Sequence, residues 1–203
     1  DFTLRNDTGA WAGKPDCIAI GSSTGGPKAL FEVIAHFGQF PVPIALTQHM
    51  PATFTKILAQ HIETQTGIKS VEAENGAPFQ AGQVHVAPGG YHMEFEKKEA
   101  GVFAKLTDAP PENFCKPSVD PMLRSLLQFY GKKILCVILT GMGHDGLAGA
   151  RQLVESGCRV IAQDEETSVV WGMPGAVAMD GLCSAVLPLD QIGPYVRKAV
   201  MTG

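Results

Sequence analysis

Short apolar runs and helically spaced apolar positions alternate along this chain. Cys17-Ile-Ala-Ile is a continuous apolar run that gives way to glycines, and after Pro27 the positions Ala29, Leu30, Val33, Ile34 and Phe37 recur at helical spacing. The pattern predicts strand, Gly-rich turn, helix. It then repeats. Val42–Thr47 reads as a strand, and Pro51 opens a helix whose apolar face is Phe54, Ile57, Leu58 and Ile62, with Gly67 suited to its end. Ile68–Ala73 and Gln83–Ala87 read as further strands. Tyr91, Met93 and Phe95 alternate with His92, Glu94 and Glu96, the spacing of a half-buried strand. Gly101–Thr107 can fold back on it, which predicts an antiparallel hairpin near 91–107.

The segment 110–117 is the longest irregular stretch. Asp120 then suits an N-cap and Pro121 a first helical position, followed by an inward face of Met122, Leu123, Leu126, Leu127 and Tyr130. Ile134–Leu139 is apolar throughout, as expected of a strand covered on both faces. A Gly-rich turn follows, then a helix with Leu147, Ala150, Leu153 and Val154. Cys158–Ala162, Cys183–Leu187 and a terminal helix around Ile192, Val196 and Val200 complete the series. Strands alternating with helices predict an α/β fold: a mostly parallel sheet flanked by helices in a Rossmann-like, three-layer arrangement. No linker interrupts residues 16–203, which are expected to form one domain. Residues 1–15 have few core candidates and read as a linker or tail.

Composition narrows the function. The 203 residues are 45% apolar and 18% charged, which excludes a disordered or coiled-coil chain. The 23 glycines and 14 prolines follow no repeat, so they mark tight turns. The net charge of −4, without a basic cluster, argues against nucleic-acid partners. No apolar run is long enough for a membrane span, and the polar start lacks a signal-peptide core, so a cytoplasmic protein is expected. The absence of an initiator Met suggests a piece of a longer chain. The five cysteines have no Cys-x-x-Cys spacing and read as reduced core residues; only Cys115, in the irregular stretch, is a candidate reactive thiol.

In open α/β sheets, sites form beyond the carboxyl ends of the strands. The first strand ends in Gly21-Ser-Ser-Thr-Gly-Gly26, which contains Gly-x-Ser-x-Gly centred on Ser23 between a predicted strand and helix. That is the context of a nucleophile elbow. Ser22 is then the variable position, so Ser22→Ala is expected to be mild. A phosphate-binding loop fits the glycines less well, because Ser23 replaces the second Gly of Gly-x-Gly-x-x-Gly and Pro27 stands where a Walker loop needs Lys. A plain capping turn is the third reading. A serine nucleophile needs a base. Of six histidines only His49 and His144 lie at the carboxyl ends of strands, and His49, which follows its strand directly, is the candidate base. Thr140-Gly-Met-Gly-His-Asp-Gly146 follows the most apolar strand and offers Asp145 as the orienting acid. The alternative role for Asp145 is the N-cap of the next helix. The backbone amides of Met142 and Thr24 are the candidate oxyanion donors. His144 has no partner at metal-ligand spacing, so neither a metal nor another cofactor is expected.

Six separated blocks carry a family resemblance: Ile20-Gly-Ser-Ser-Thr-Gly-Gly-Pro27, Gln48-His-Met-Pro51, Ala87-Pro-Gly-Gly-Tyr-His-Met93, Pro117-Ser-Val-Asp-Pro121, Thr140-Gly-Met-Gly-His-Asp-Gly146 and Gly172-Met-Pro174. Together they resemble the catalytic domain of bacterial chemotaxis protein-glutamate methylesterases, the CheB family, over about residues 16 to 200. The resemblance implies hydrolysis of glutamate methyl esters on the cytoplasmic helices of chemoreceptors, often with deamidation of glutamines there. It puts nucleophile, base and acid on Ser23, His49 and Asp145. It also implies an amino-terminal receiver domain outside this chain, with residues 1–15 remaining from the linker. The loops 113–118 and 169–173 are candidate receptor contacts, although Trp171 and Met173 read equally well as core. The reading from another class is a non-catalytic nucleotide- or phosphate-binding domain using the Gly-rich turns.

Overall fold

A computed structural model describes residues 1–6 and 13–202. Seven strands form one parallel sheet: β1 (Cys17–Ser22), β2 (Ile44–Gln48), β3 (Ser70–Glu72), β4 (Val84–Val86), β7 (Ile134–Ile138), β8 (Arg159–Gln163) and β9 (Ala185–Leu187). Their order across the sheet is β3-β4-β2-β1-β7-β8-β9. The expected hairpin is a separate antiparallel pair, β5 (His92–Lys98) and β6 (Gly101–Thr107).

Alternation along the strands builds two cores. Ile18 and Ile20 of β1, with Ile44 and Leu46 of β2, face a layer made by α1 (Gly26–Ile34), α2 (Phe54–Thr66) and α6 (Leu189–Thr202). Cys17 and Ala19 face the opposite layer, which holds α3 (Val119–Tyr130), α4 (Leu147–Glu155), α5 (Met173–Met179) and the hairpin. Both sheet faces are dry, which is why the strand runs carry no polar alternation.

Several local expectations differ from what forms. Phe54 and Ile57 are exposed, because α2 buries the stripe Thr55, Leu58, Ala59 and Ile62 instead. His61 is exposed on α2, and His36 lies beyond the end of α1. The N-cap of α3 is Ser118, so Asp120 and Pro121 sit inside the first turn. The short helix α5 had no counterpart in the periodicity. At the amino terminus, the Arg5 amide donates to the Cys183 carbonyl at 2.8 Å and the Phe2 ring lies 6.2 Å from Trp171. The first residues of the expected tail therefore rest on the domain, while 7–12 of that tail lie outside the described residues.

From β1 the chain moves outward through β2 to β3 and β4, then returns past β1 to β7, β8 and β9. The direction of winding reverses between β1 and β7. A crevice at the carboxyl ends of strands flanking such a switch is where doubly wound sheets place their ligands. Both Gly-rich turns lie there.

Candidate active site

Parallel pairing sets Ser23 beside His49. Ser22 pairs with Gln48 in register, and the next residue on each strand is the candidate nucleophile and the candidate base. The His49 amide donates to the Ser22 carbonyl at 3.1 Å, which extends the ladder one step past β2. On the other flank, the Ser23 amide donates to the Thr140 carbonyl at 2.9 Å, and Thr140 Oγ1 donates to the Thr24 carbonyl at 2.9 Å. The turn is therefore fixed from both neighbouring strands.

The turn differs from the expected elbow in one respect. Ser23 is not among the non-glycine residues with positive φ, and the left-handed step falls on Gly25, with φ +80°. Strain sits on the residue that tolerates it. Gly141 serves by close approach: a Cβ there would lie 2.8 Å from Ser23 Cβ and 2.9 Å from Ser23 N.

Asp145 is buried and meets His49 across the crevice. His49 Nε2 lies 2.6 Å from Asp145 Oδ2, within hydrogen-bond reach. With that nitrogen donating, Nδ1 is the basic position. Nδ1 lies within hydrogen-bond reach of Cys115 Sγ, at 3.4 Å. Ser23 Oγ makes no hydrogen bond among the described residues, so the candidate base is joined to the candidate acid but not to the candidate nucleophile. Catalytic hydrogen bonds often tighten only when substrate is bound.

The expected alternative for Asp145 was a cap on the following helix, but α4 takes Gly146 as its N-cap. Asp145 caps α3 instead. Its carboxylate accepts from the amides of Val119 (2.7 Å) and Asp120 (3.1 Å) at that helix's first turn. The Ser118 side chain makes no capping bond there. Asn113 Nδ2 adds a further donor at 2.9 Å. Burial works to raise the Asp145 pKa, but the bonds from His49 and Val119 outweigh it and hold the carboxyl below its ordinary value. A lowered carboxylate pKa stabilises the fold at neutral pH, and that contribution is lost as pH falls through the lowered value.

The amides of Thr24 and Met142 donate to no acceptor among the described residues, the condition that an oxyanion donor must meet. The other histidines have different surroundings. His85 bridges the Ile44 carbonyl and the Gln80 amide, and burial lowers its pKa. His92, expected on a polar face, is buried between the Pro110 carbonyl and the Ser118 amide. His144 is exposed. Among the described residues no three His, Cys, Asp or Glu side chains cluster as metal ligands. Cys115 lacked a base neighbour in the sequence, yet the fold brings His49 to it. Burial and the Asp145 charge push its thiol up, away from the reactive thiolate.

One role was not legible in the sequence, and Ser22 has a different one from that expected. Gln48 Nε2 donates to the carbonyls of both Ser23 (2.9 Å) and His49 (3.2 Å), tying the candidate nucleophile to the candidate base through one amide. Ser22 is fully buried and donates to Gln48 Oε1 at 2.6 Å, so it is not a free variable position. Ser22→Ala leaves a buried amide oxygen without its donor and is expected to cost about 1–3 kcal/mol. Urea unfolding measures this directly; stability equal to wild type would show that the bond contributes nothing. Trp171 is half-buried with Nε1 donating to the Gln163 carbonyl, and Met173 is fully buried, so both belong to the scaffold. Exposed apolar side chains lie nearby: Phe114 (102% exposed) beside Cys115, Met142 (66%) beside Gly141, and Val169 (70%), on which a Gly25 Cβ would impinge.

Comparison with known proteins gives one consistent answer. The model of a family described as CheB methylesterase matches residues 18–196. A protein-glutamate methylesterase/protein-glutamine glutaminase of Azospirillum brasilense is 59% identical over 187 residues, covering 91% of this chain and 48% of the relative. One from Rhodospirillum centenum, of a group 2 operon, is 58% identical over 186 residues, covering 92% and 47%. The chain thus spans about half the length of the curated relatives it matches. Among solved structures, the Thermotoga maritima CheB methylesterase catalytic domain matches with a TM-score of 0.88 at 39% identity, covering 93% of this chain and 99% of that one.

Proposed function

The chain belongs to the CheB methylesterase family, and we propose that it hydrolyses glutamate methyl esters on chemoreceptor helices through Ser23, His49 and Asp145. Ser23 Oγ attacks the ester carbonyl carbon while its proton passes to His49 Nδ1. The amides of Met142 and Thr24 receive the oxyanion. His49 returns the proton to the departing methanol oxygen. Water, deprotonated by the same nitrogen, then releases the glutamate carboxylate and restores the serine. With glutamine in place of the ester, ammonia leaves and the product is the same. Asp145 holds the ring so that Nδ1 keeps its lone pair towards the serine, and it stabilises the imidazolium that forms.

The observation that carries this reading is the 2.6 Å His49–Asp145 contact at the carboxyl end of the strand next to Ser23. A nucleotide- or phosphate-binding domain has no use for an imidazole locked against a buried carboxylate. The exposed rim of Phe114, Met142 and Val169 is the proposed contact for an amphipathic receptor helix. Residues 16–203 are proposed as the catalytic domain and 1–15 as linker from a receiver domain. A cytoplasmic location fits this substrate, and no helix among the described residues is long and apolar enough to cross a membrane.

Labelling with a fluorophosphonate tests the reading. One adduct per chain, on Ser23, is expected. A chain that stays unlabelled, or is labelled elsewhere, would overturn it.

A further inference from the structure

Asp145 is not the only buried carboxylate at this crevice. Asp120, in the first turn of α3, is 2% exposed, and its Oδ1 accepts the Gly149 amide at 2.7 Å. Its Oδ2 accepts Asn113 Nδ2 at 2.8 Å, and the same nitrogen donates to Asp145 Oδ1 at 2.9 Å. One neutral amide thus stands between two carboxylates and spends both of its protons on them. Burial, together with the nearby Asp145 charge, raises the Asp120 pKa. Without the amide the two acids would face each other unscreened.

The chain holds Asn113 there in a tight turn whose conformational cost falls on Phe114, since asparagine tolerates positive φ and phenylalanine does not. Asn113 and Phe114 have φ of +55° and +64°, a region that non-glycine residues seldom occupy. The loop is fastened on both sides of them. Glu112 and Cys115 exchange backbone hydrogen bonds of 3.0 Å, and Arg124 of α3 grips Glu112 through two bonds of 2.7 and 2.6 Å. Such over-determined strain is characteristic of a functional constraint.

We propose that Asn113 is a positioning residue for the hydrolytic reaction, orienting the Asp145 carboxylate, and through it the His49 ring, by tying Asp145 to Asp120. This inference rests on the triad reading above. Asp145 Oδ2 is engaged by Val119 N and His49, whereas Oδ1 depends on Asn113 and a longer bond from Asp120 N. Loss of the side-chain donor releases one end of the carboxylate and turns the acceptor away from Nε2. Small misplacements of this kind reduce rates by up to about 10²-fold.

Two variants separate donation from packing. Asn113→Gly accepts the positive φ and removes the amide. Asn113→Asp keeps shape and φ tolerance but replaces the donor with a third carboxylate. At pH 8, with a methyl-esterified glutamate peptide as substrate, Asn113→Gly is expected to lower kcat by about 10- to 100-fold, with KM changed less than about twofold. Asn113→Asp should be no better than Asn113→Gly, and the downfield proton resonance of His49 Nε2–H should move in both. In an Asp145→Asn background, Asn113→Gly should cost less than about threefold more, because the group it orients is already lost. Wild-type kcat in Asn113→Gly, recovery in the isosteric Asn113→Asp, or an additive loss in the double variant would each overturn the positioning role while leaving the triad intact. Wild-type turnover in Asp145→Asn alone would overturn the triad reading, and this inference with it.

Discussion

Ser23→Ala is expected to lower methyl-ester turnover by up to about 10⁶-fold, the loss seen when a serine protease loses its nucleophile. The residual rate would come from the oxyanion donors and from substrate binding. The fold should be indifferent. Ser23 is half-buried, its side chain makes no hydrogen bond among the described residues, and the bonds that fix the turn run through its backbone and through Gln48. Stability within about 0.5 kcal/mol of wild type is therefore expected. Its neighbour provides the contrast: Ser22→Ala should keep most of the activity and lose stability instead. Methanol release and urea midpoints on the two variants give a crossed pattern. Equal methanol release from wild type and Ser23→Ala would reject the mechanism.

That crossed pattern also marks what the sequence could tell. Ser22 and Ser23 are the same residue type; the Gly-x-Ser-x-Gly spacing singles out Ser23, and the strand before it and helix after it give that spacing its chemical meaning. That much was legible, because strand and helix periodicities are local. So was the parallel sheet, since its dry strands read as unbroken apolar runs. The placement of His49 at a strand end was legible for the same reason. Gln48 was not, because its two acceptors, Ser23 O and His49 O, come together only when β1 and β2 pair. Asn113 was hidden for a similar reason. It sits in an irregular stretch without periodicity, and its partners are 7 and 32 positions away. The cap assigned to Asp120 failed because propensity sees only the residue's own helix, whereas the first amides of α3 are taken by Asp145, 25 and 26 positions on. Phe54 and Ile57 were misplaced because periodicity gives a helix an apolar side but not the part of that side the sheet covers.

The acid should be Asp145 and not Asp164, although both follow strands of the same sheet. Asp164 Oδ1 accepts from the Thr167 amide (3.0 Å) and the Thr167 hydroxyl (2.6 Å), a local turn on a partly exposed loop. Asp145 is 2% exposed and reaches His49 at 2.6 Å. Asp145→Asn keeps the shape but supplies an amide where an anion stood. If its nitrogen turns towards Nε2, the ring must accept there and carry its proton on Nδ1, the wrong tautomer for a base facing Ser23. If its oxygen turns there, the imidazolium loses its counter-charge. Either way turnover is expected to fall by up to about 10⁴-fold, the cost of the equivalent change in a serine protease. Asp164→Asn leaves the crevice untouched and should stay within about threefold of wild type, its loss confined to one turn and within about 1 kcal/mol. Because Asp145 also caps α3, the Asn variant is expected to be less stable, and circular dichroism with thermal unfolding must show it folded at the assay temperature. A crippled Asp164→Asn beside a near-normal Asp145→Asn would mean that the 2.6 Å contact is structural and that the base is oriented from elsewhere.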